Sequence, residues 1–156
     1  MSDLLRQEVT ATAKKIVVKV GTRVLTDSEG KLDLARISSL ASQLSAIASK
    51  GRQVVLVSSG AVGAGLNRLG MHSRPTDVAT LQAIAAVGQT DLIQTYQKLF
   101  NAEGRVAAQV LLTANELDDR VRYLNVRNTL LELLECRKDT HCLALVSILH
   151  VFCQIG

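Results

Sequence analysis

The stretch best suited to chemistry is VVLVSSGAVGAG at 54–65, where two serines and three glycines follow an apolar run. Hydroxyl and backbone N–H groups donate hydrogen bonds to anions, and a glycine lets a ligand approach the backbone without a Cβ in the way. Parallel sheets bind ligands beyond the carboxyl ends of their strands, where a helix begins. We therefore interpret Ser58, Ser59 and the glycines as an anion-binding loop. The alternative is a tight turn without a ligand.

The glycine spacing does not match the two best-known nucleotide-binding loops. Gly60 and Gly65 have the separation of P-loop glycines, but Leu66 and Asn67 stand where lysine and serine or threonine would follow. A Walker site is therefore excluded. The glycine order also reverses the dinucleotide fingerprint, and no acidic residue lies about 20 residues further on at the end of the next strand to hold a ribose. A Rossmann-type site remains the weaker alternative.

A second candidate is VVKVGT at 17–22, where Lys19 interrupts an apolar strand and is followed closely by Gly21 and Thr22. Burying a lone ammonium costs free energy unless it meets an anion near the end of the strand. The alternative is a position on an edge face, from which the side chain reaches water. If the two loops meet, one cation and two sets of backbone donors surround a single anionic ligand.

A sheet must bring these loops together, and the apolar pattern predicts one. Strands are predicted at 14–20, 53–59 and 105–113, and the second has the continuous apolar run of a strand covered on both faces. Helices are predicted over 33–50 with Asp33 as its cap, from the glycines to about 69, from Pro75 to Gly104, and over 123–135. The alternation predicts an α/β fold, a mainly parallel sheet flanked by helices in an α/β/α sandwich.

The composition is typical of a globular domain, with 156 residues of which 47% are hydrophobic and 21% charged. The net charge of +4 comes from scattered residues, and only 3% of residues are aromatic, which argues against nucleic acid as a partner. No apolar run approaches the ~20 residues of a membrane helix, and the start MSDLLRQEVTATAKK lacks a signal-peptide core. We expect a cytoplasmic protein without a membrane partner.

Four segments, in order, resemble the amino-acid kinase family. They are VVKVGTRVLT at 17–26, VVLVSSGAVGAGLNRLG at 54–70, LQAIAAVGQTDLIQTYQKLF at 81–100 and AAQVLLTANELDDRVRYLNVRNTLLELL at 107–134. The resemblance is to the branch that uses ATP to phosphorylate the side-chain carboxylate of L-glutamate, giving glutamyl 5-phosphate in the first step of proline biosynthesis. It implies ATP and L-glutamate as substrates, Mg²⁺ as a cofactor and a homo-oligomer in the full-length family.

The resemblance also assigns roles to individual residues. Lys19 would be the catalytic residue that neutralises the transferring phosphoryl group, and it would bind phosphate together with the backbone of Gly21. Ser59, Gly60 and Ala61 would bind the glutamate substrate. No residue is assigned as a metal ligand.

Gly88 interrupts a long helical pattern within the segment AAVGQ, and it predicts either a kink or a close helix contact. Gly88 and Gln89 match the family at this point. We expect them to pack behind the glutamate loop, with direct contact to the substrate as the alternative.

The resemblance divides the chain into an N-terminal extension at 1–13, the glutamate-side half of an amino-acid kinase-like domain at 14–135, and an atypical tail at 136–156. The tail holds all three cysteines, Cys136, Cys142 and Cys153. Their spacing with His141 and His150 lacks the paired ligands of a zinc site. We expect an apolar strand or helix where the family's next strand would lie, and a frameshift, splice variant or mis-joined gene as the origin of the tail.

The resemblance therefore implies a truncated glutamate-phosphorylating kinase, which the missing ATP-binding half would leave inactive alone. The alternative is a non-catalytic fragment that binds an acidic metabolite or pairs with full-length subunits through an exposed sheet edge.

Overall fold

A computed structural model of the chain describes residues 7–9, 11–28, 31–112, 118–135 and 142–148. Its strands are β1 (Lys15–Val20), β2 (Gln53–Ser58), β3 (Val106–Leu112) and β4 (Cys142–Ile148). Its helices are α1 (Thr22–Leu25), α2 (Leu34–Ser49), α3 (Ala61–Arg68), α4 (Val78–Ala102) and α5 (Arg120–Glu135). The four strands form one parallel sheet in the order β1-β2-β4-β3, so the predicted α/β fold is confirmed.

The order of the strands explains which face each helix covers. The chain moves across the sheet in one direction from β1 to β2 to β3, and it then turns back to place β4 between β2 and β3. Parallel crossovers are almost always right-handed, so connections that run in opposite directions lie on opposite faces. Accordingly, α2 and α4 pack on one face, and α5 packs on the other.

The larger core lies under α2 and α4. Its fully buried side chains include Ile37 and Leu44 of α2, Leu92 and Phe100 of α4, and Leu56 of β2. On the other face, the helix that covers the sheet within the described residues is α5, which packs through Val126, Leu130 and Leu134. Its apolar contacts do not extend to the outer strand β1, where the side chain of Val17 is 67% exposed.

The tail contributes the strand that completes the centre of the sheet. β4 pairs with β2 over residues 144–147 and with β3 over 142–148. Leu143, Ala144, Leu145 and Val146 are each at most 3% exposed. Of the two forms expected for this segment, the structure shows the apolar strand, and the sheet would lack its middle without it.

The helix ends follow their capping residues. The Asp33 side chain accepts a hydrogen bond from the backbone N–H of Arg36 at 3.0 Å, as predicted for the start of α2. α4 begins only at Val78, because the Asp77 side chain accepts from the N–H of Thr80 at 2.8 Å. No helix within the described ranges combines the length and apolar character that crossing a membrane requires.

Candidate functional site

The two predicted loops lie side by side at the carboxyl edge of the sheet. Lys19 pairs in register with Val57, and Val20 pairs with Ser58, so β1 and β2 end at the same level. The carbonyl oxygen of Val20 accepts two hydrogen bonds from Ser59, one from the backbone N–H at 3.1 Å and one from the hydroxyl at 2.9 Å. These two hydrogen bonds hold the start of the glycine loop beside Val20, the residue that follows Lys19.

Lys19 lies on the outer face of the edge strand β1 and is exposed. Its position is therefore the edge-face alternative, not a buried one. The Nζ atom lies 3.6 Å from the place where a Cβ on Gly21 would stand, so the ammonium reaches the backbone at the end of the strand. Among the described residues it forms no ion pair, which leaves its charge available to an anion.

The glycine loop exposes backbone donors at the start of α3. Gly60 has φ +120° and ψ 0°, a conformation that residues with a Cβ rarely adopt. No side chain caps the helix, so the first N–H groups, from Ala61 onward, have neither an intrahelical acceptor nor a capping oxygen. These donors and the positive end of the helix dipole favour a negatively charged group.

The two serines of the loop differ in their surroundings: the Ser59 hydroxyl bonds to Val20, whereas the Ser58 side chain is buried. Ser58 is 3% exposed, and its hydroxyl lies 3.2 Å from that of the fully buried Tyr96. It also donates to the carbonyl of Ser59 at 3.3 Å. Burial raises the pKa of Tyr96, while the hydrogen bond with Ser58 lowers it. Ser58 therefore belongs to the core beneath the loop, and the interpretation that it donates to a ligand is wrong for this conformation.

The loop is held from behind by close packing of α3 against α4. A Cβ on Gly88 would lie 1.9 Å from the carbonyl oxygen of Ala61 and 2.2 Å from the backbone nitrogen of Gly65. A Cβ on Gly65 would lie 1.9 Å from the carbonyl oxygen of Ile84. α4 runs unbroken through Gly88, so this glycine marks a helix contact and not a kink.

A polar contact that the sequence did not reveal joins α4 to the end of β4. Gln89 donates from Nε2 to the hydroxyl of Ser147 at 3.0 Å, and Ser147 is 2% exposed. Ser147 in turn pairs in register with Ser58. The position of Ser147 depends on strand register, which no local pattern in the tail encodes.

A cleft of about 510 Å³ lies between the turn after α1 and the end of α3, lined in part by Lys31, Asn67, Met71 and His72. It contains none of the five predicted site residues. This cleft therefore does not mark the position of the predicted site.

Most of the cysteines and histidines considered for a zinc site lie outside the residues that the structure describes. These are Cys136, His141, His150 and Cys153, whereas Cys142 is a half-buried residue of β4. Over the described part of the chain, no three side chains of the types that bind metals come together.

Comparison with known proteins gives matches over most of the chain. Residues 14–140 match the amino acid kinase family. The chain is 59% identical over 126 residues to glutamate 5-kinase of Rhodopirellula baltica, a match that covers 81% of this chain and 32% of the relative. It is 52% identical over 122 residues to glutamate 5-kinase of Moorella thermoacetica, which covers 78% of this chain and 32% of that relative. The chain thus spans about a third of the length of these relatives.

Proposed function

Because this chain belongs to the amino acid kinase family, we propose that residues 14–135 are the glutamate-side half of a kinase that phosphorylates L-glutamate. The reaction would use ATP and give glutamyl 5-phosphate, the first step of proline biosynthesis, in the cytoplasm. The names of the relatives support the choice of glutamate. Homo-oligomerisation of the full-length protein is part of the same proposal.

The chemistry explains why a cation and backbone donors would suffice. An oxygen of the side-chain carboxylate attacks the γ-phosphorus of ATP, the bond from that phosphorus to the bridging oxygen breaks, and ADP leaves. Two anions must approach each other, so catalysis depends on positioning and on stabilising negative charge. Lys19, with the Gly21 backbone beside it, would neutralise the transferring phosphoryl group.

The glutamate would lie at the glycine loop. Ser59, Gly60 and Ala61 would contact it, with the unpaired N–H groups of the first turn of α3 directed at a carboxylate. One observation supports the proposal. Ser59 donates two hydrogen bonds to the carbonyl of Val20, which follows Lys19 in β1, so the strand that carries the proposed cation ends beside the proposed glutamate loop.

Part of ATP fits the residues present. The Nζ of Lys19 above Gly21, where no Cβ intervenes, provides a place for a phosphate group. Mg²⁺, which would travel with the phosphates, finds no protein carboxylate in the strand-end segments 19–25 and 58–65. The proposed tasks of this chain are therefore to bind glutamate and to neutralise the phosphoryl group.

The test is ADP release that depends on L-glutamate, measured with Mg²⁺ and ATP on a full-length glutamate 5-kinase in which residues 14–135 of this chain replace the matching segment, because the chain alone spans about a third of such relatives. Lys19→Met should lower turnover by about 100-fold or more, while calorimetry shows the Kd for L-glutamate changed by less than about threefold. Lys15→Met is the matched control, because Lys15 is exposed on the same face of β1, four residues nearer the other end of the strand. Equal turnover in the Lys19 and Lys15 variants would contradict the role of Lys19.

A second candidate is a non-catalytic fragment that binds an acidic metabolite or pairs with full-length subunits. The edge position of β1 in the described sheet, where the side chain of Val17 is 67% exposed, favours it. A rise in Tm with L-glutamate but no ADP release would support this fragment over the enzyme.

A further inference from the structure

Gln89 lies directly behind the proposed glutamate loop. It follows Gly88, whose backbone packs against the carbonyl of Ala61 so closely that a Cβ would lie 1.9 Å from that oxygen. Its own side chain reaches Ser147 at the end of β4. Ser147 pairs with Ser58, the last residue of β2 before the loop. The amide of Gln89 is thus placed between the start of α3 and the carboxyl ends of the two central strands.

The proposed site has many donors and few acceptors. L-Glutamate carries two carboxylates and one ammonium, and the ammonium must donate hydrogen bonds to oxygen atoms. The backbone N–H groups of the loop and the ammonium of Lys19 suit only the carboxylates. The segments 19–25 and 58–65 contain no acidic residue to meet the substrate's ammonium.

The Gln89 amide offers an acceptor of the required kind. Its Nε2 donates a hydrogen bond to the hydroxyl of Ser147, and this bond anchors one end of the amide at β4. Its Oε1 accepts no hydrogen bond from any residue that the structure describes. A neutral acceptor with one end anchored loses little side-chain entropy when it binds a ligand.

We propose that Gln89 is a specificity-determining residue whose Oε1 accepts a hydrogen bond from the α-ammonium of L-glutamate, held in orientation by Ser147. This inference rests on the proposed function, because it takes the glycine loop as the place where glutamate binds. It adds a group that selects an amino acid over a simple dicarboxylate.

The experiment compares L-glutamate with glutarate, which has both carboxylates but no amino group. Calorimetry on the full chain should show that Gln89→Met, which keeps the shape of the side chain and removes its acceptor, weakens L-glutamate binding at least about tenfold. Binding of glutarate should change less than about twofold. Gln94→Met is the matched control, since Gln94 is exposed on the same helix, and it should leave both affinities unchanged.

A conservative variant separates recognition from packing. Gln89→Glu keeps an acceptor and should retain the preference for L-glutamate over glutarate, and circular dichroism shows whether each variant is folded. Equal weakening of both ligands by Gln89→Met would overturn the inference and assign Gln89 to structure alone. A wild-type chain that binds L-glutamate and glutarate with equal affinity would also overturn the inference, while the proposal that the loop binds a carboxylate would stand. A wild-type chain that binds neither would refute the proposed function itself.

Discussion

Replacing Gly88 by alanine should loosen the contact that holds the glycine loop. The new Cβ would lie 1.9 Å from the carbonyl oxygen of Ala61, whereas ordinary contacts begin at 3.4 Å, so α3 and α4 must separate by about 1.5 Å. The atoms it meets belong to the backbone, which cannot rotate away as a side chain does. The first turn of α3, with its donors, must therefore move.

Two opposing effects determine how much Gly88→Ala changes the free energy of unfolding. Alanine is favoured over glycine inside a helix by about 1 kcal/mol. Overpacking costs about 1–3 kcal/mol, and contact with backbone on two sides, Ala61 and Gly65, places Gly88→Ala near the upper end. We expect the free energy of unfolding to fall by a net of about 2 kcal/mol, and L-glutamate binding to weaken because the donors are displaced.

The assay is urea unfolding followed by circular dichroism, together with calorimetric titration of L-glutamate. Gly104→Ala is the control, because Gly104 also disfavours a side chain, through its φ of +68°, but nothing lies within 4 Å of the new Cβ. It should cost about 1 kcal/mol and leave binding unchanged. A Gly88→Ala chain that is more stable than the wild type, as helix propensity alone would give, would refute the reasoning.

Two further predictions concern stability. Burial raises the pKa of Tyr96, so the unfolded chain releases the phenol proton more readily than the folded chain does. The stability that the neutral phenol contributes to the fold is therefore fully present below about pH 10 and is lost as the pH rises further. Tyr96→Phe should therefore reduce the alkaline loss of stability in a pH series of urea titrations, whereas Tyr123→Phe, at a 48% exposed position, should not; identical curves for the two variants would contradict this. Asp33→Ala should lower the free energy of unfolding by about 1 kcal/mol by removing the cap of α2, and Asp33→Asn, which keeps a capping oxygen, should lose less than half of that in the same assay.

Most of the framework was predictable because local signals decide it. The β-branched run of β1 and the capping carboxylate of Asp33 act over a few residues, and the structure follows both. The predicted start of α4, at Pro75, was less accurate, because the helix begins at Val78. Pro75 fixes only its own φ, whereas the hydrogen bond from Thr80 to Asp77 determines where the helix begins.

The strand at the centre of the sheet, β4, could not be predicted from local sequence alone. An apolar run as short as 142–148 is compatible with either a strand or a buried helix, and pairing with β2 and β3 decides between them. The same limit applies to the site. The closeness of the two loops follows from parallel strands ending together, but the contact of Gln89 with Ser147 depends on register across three elements.

The most direct test of the account is an NMR titration of the ¹⁵N-labelled chain with L-glutamate. We expect the backbone amides of Ser59, Gly60 and Ala61 to shift together and to saturate at one concentration. Shifts confined to the cleft around Met71 and His72, or no shift in any amide, would contradict the claim that the end of β2 binds the substrate.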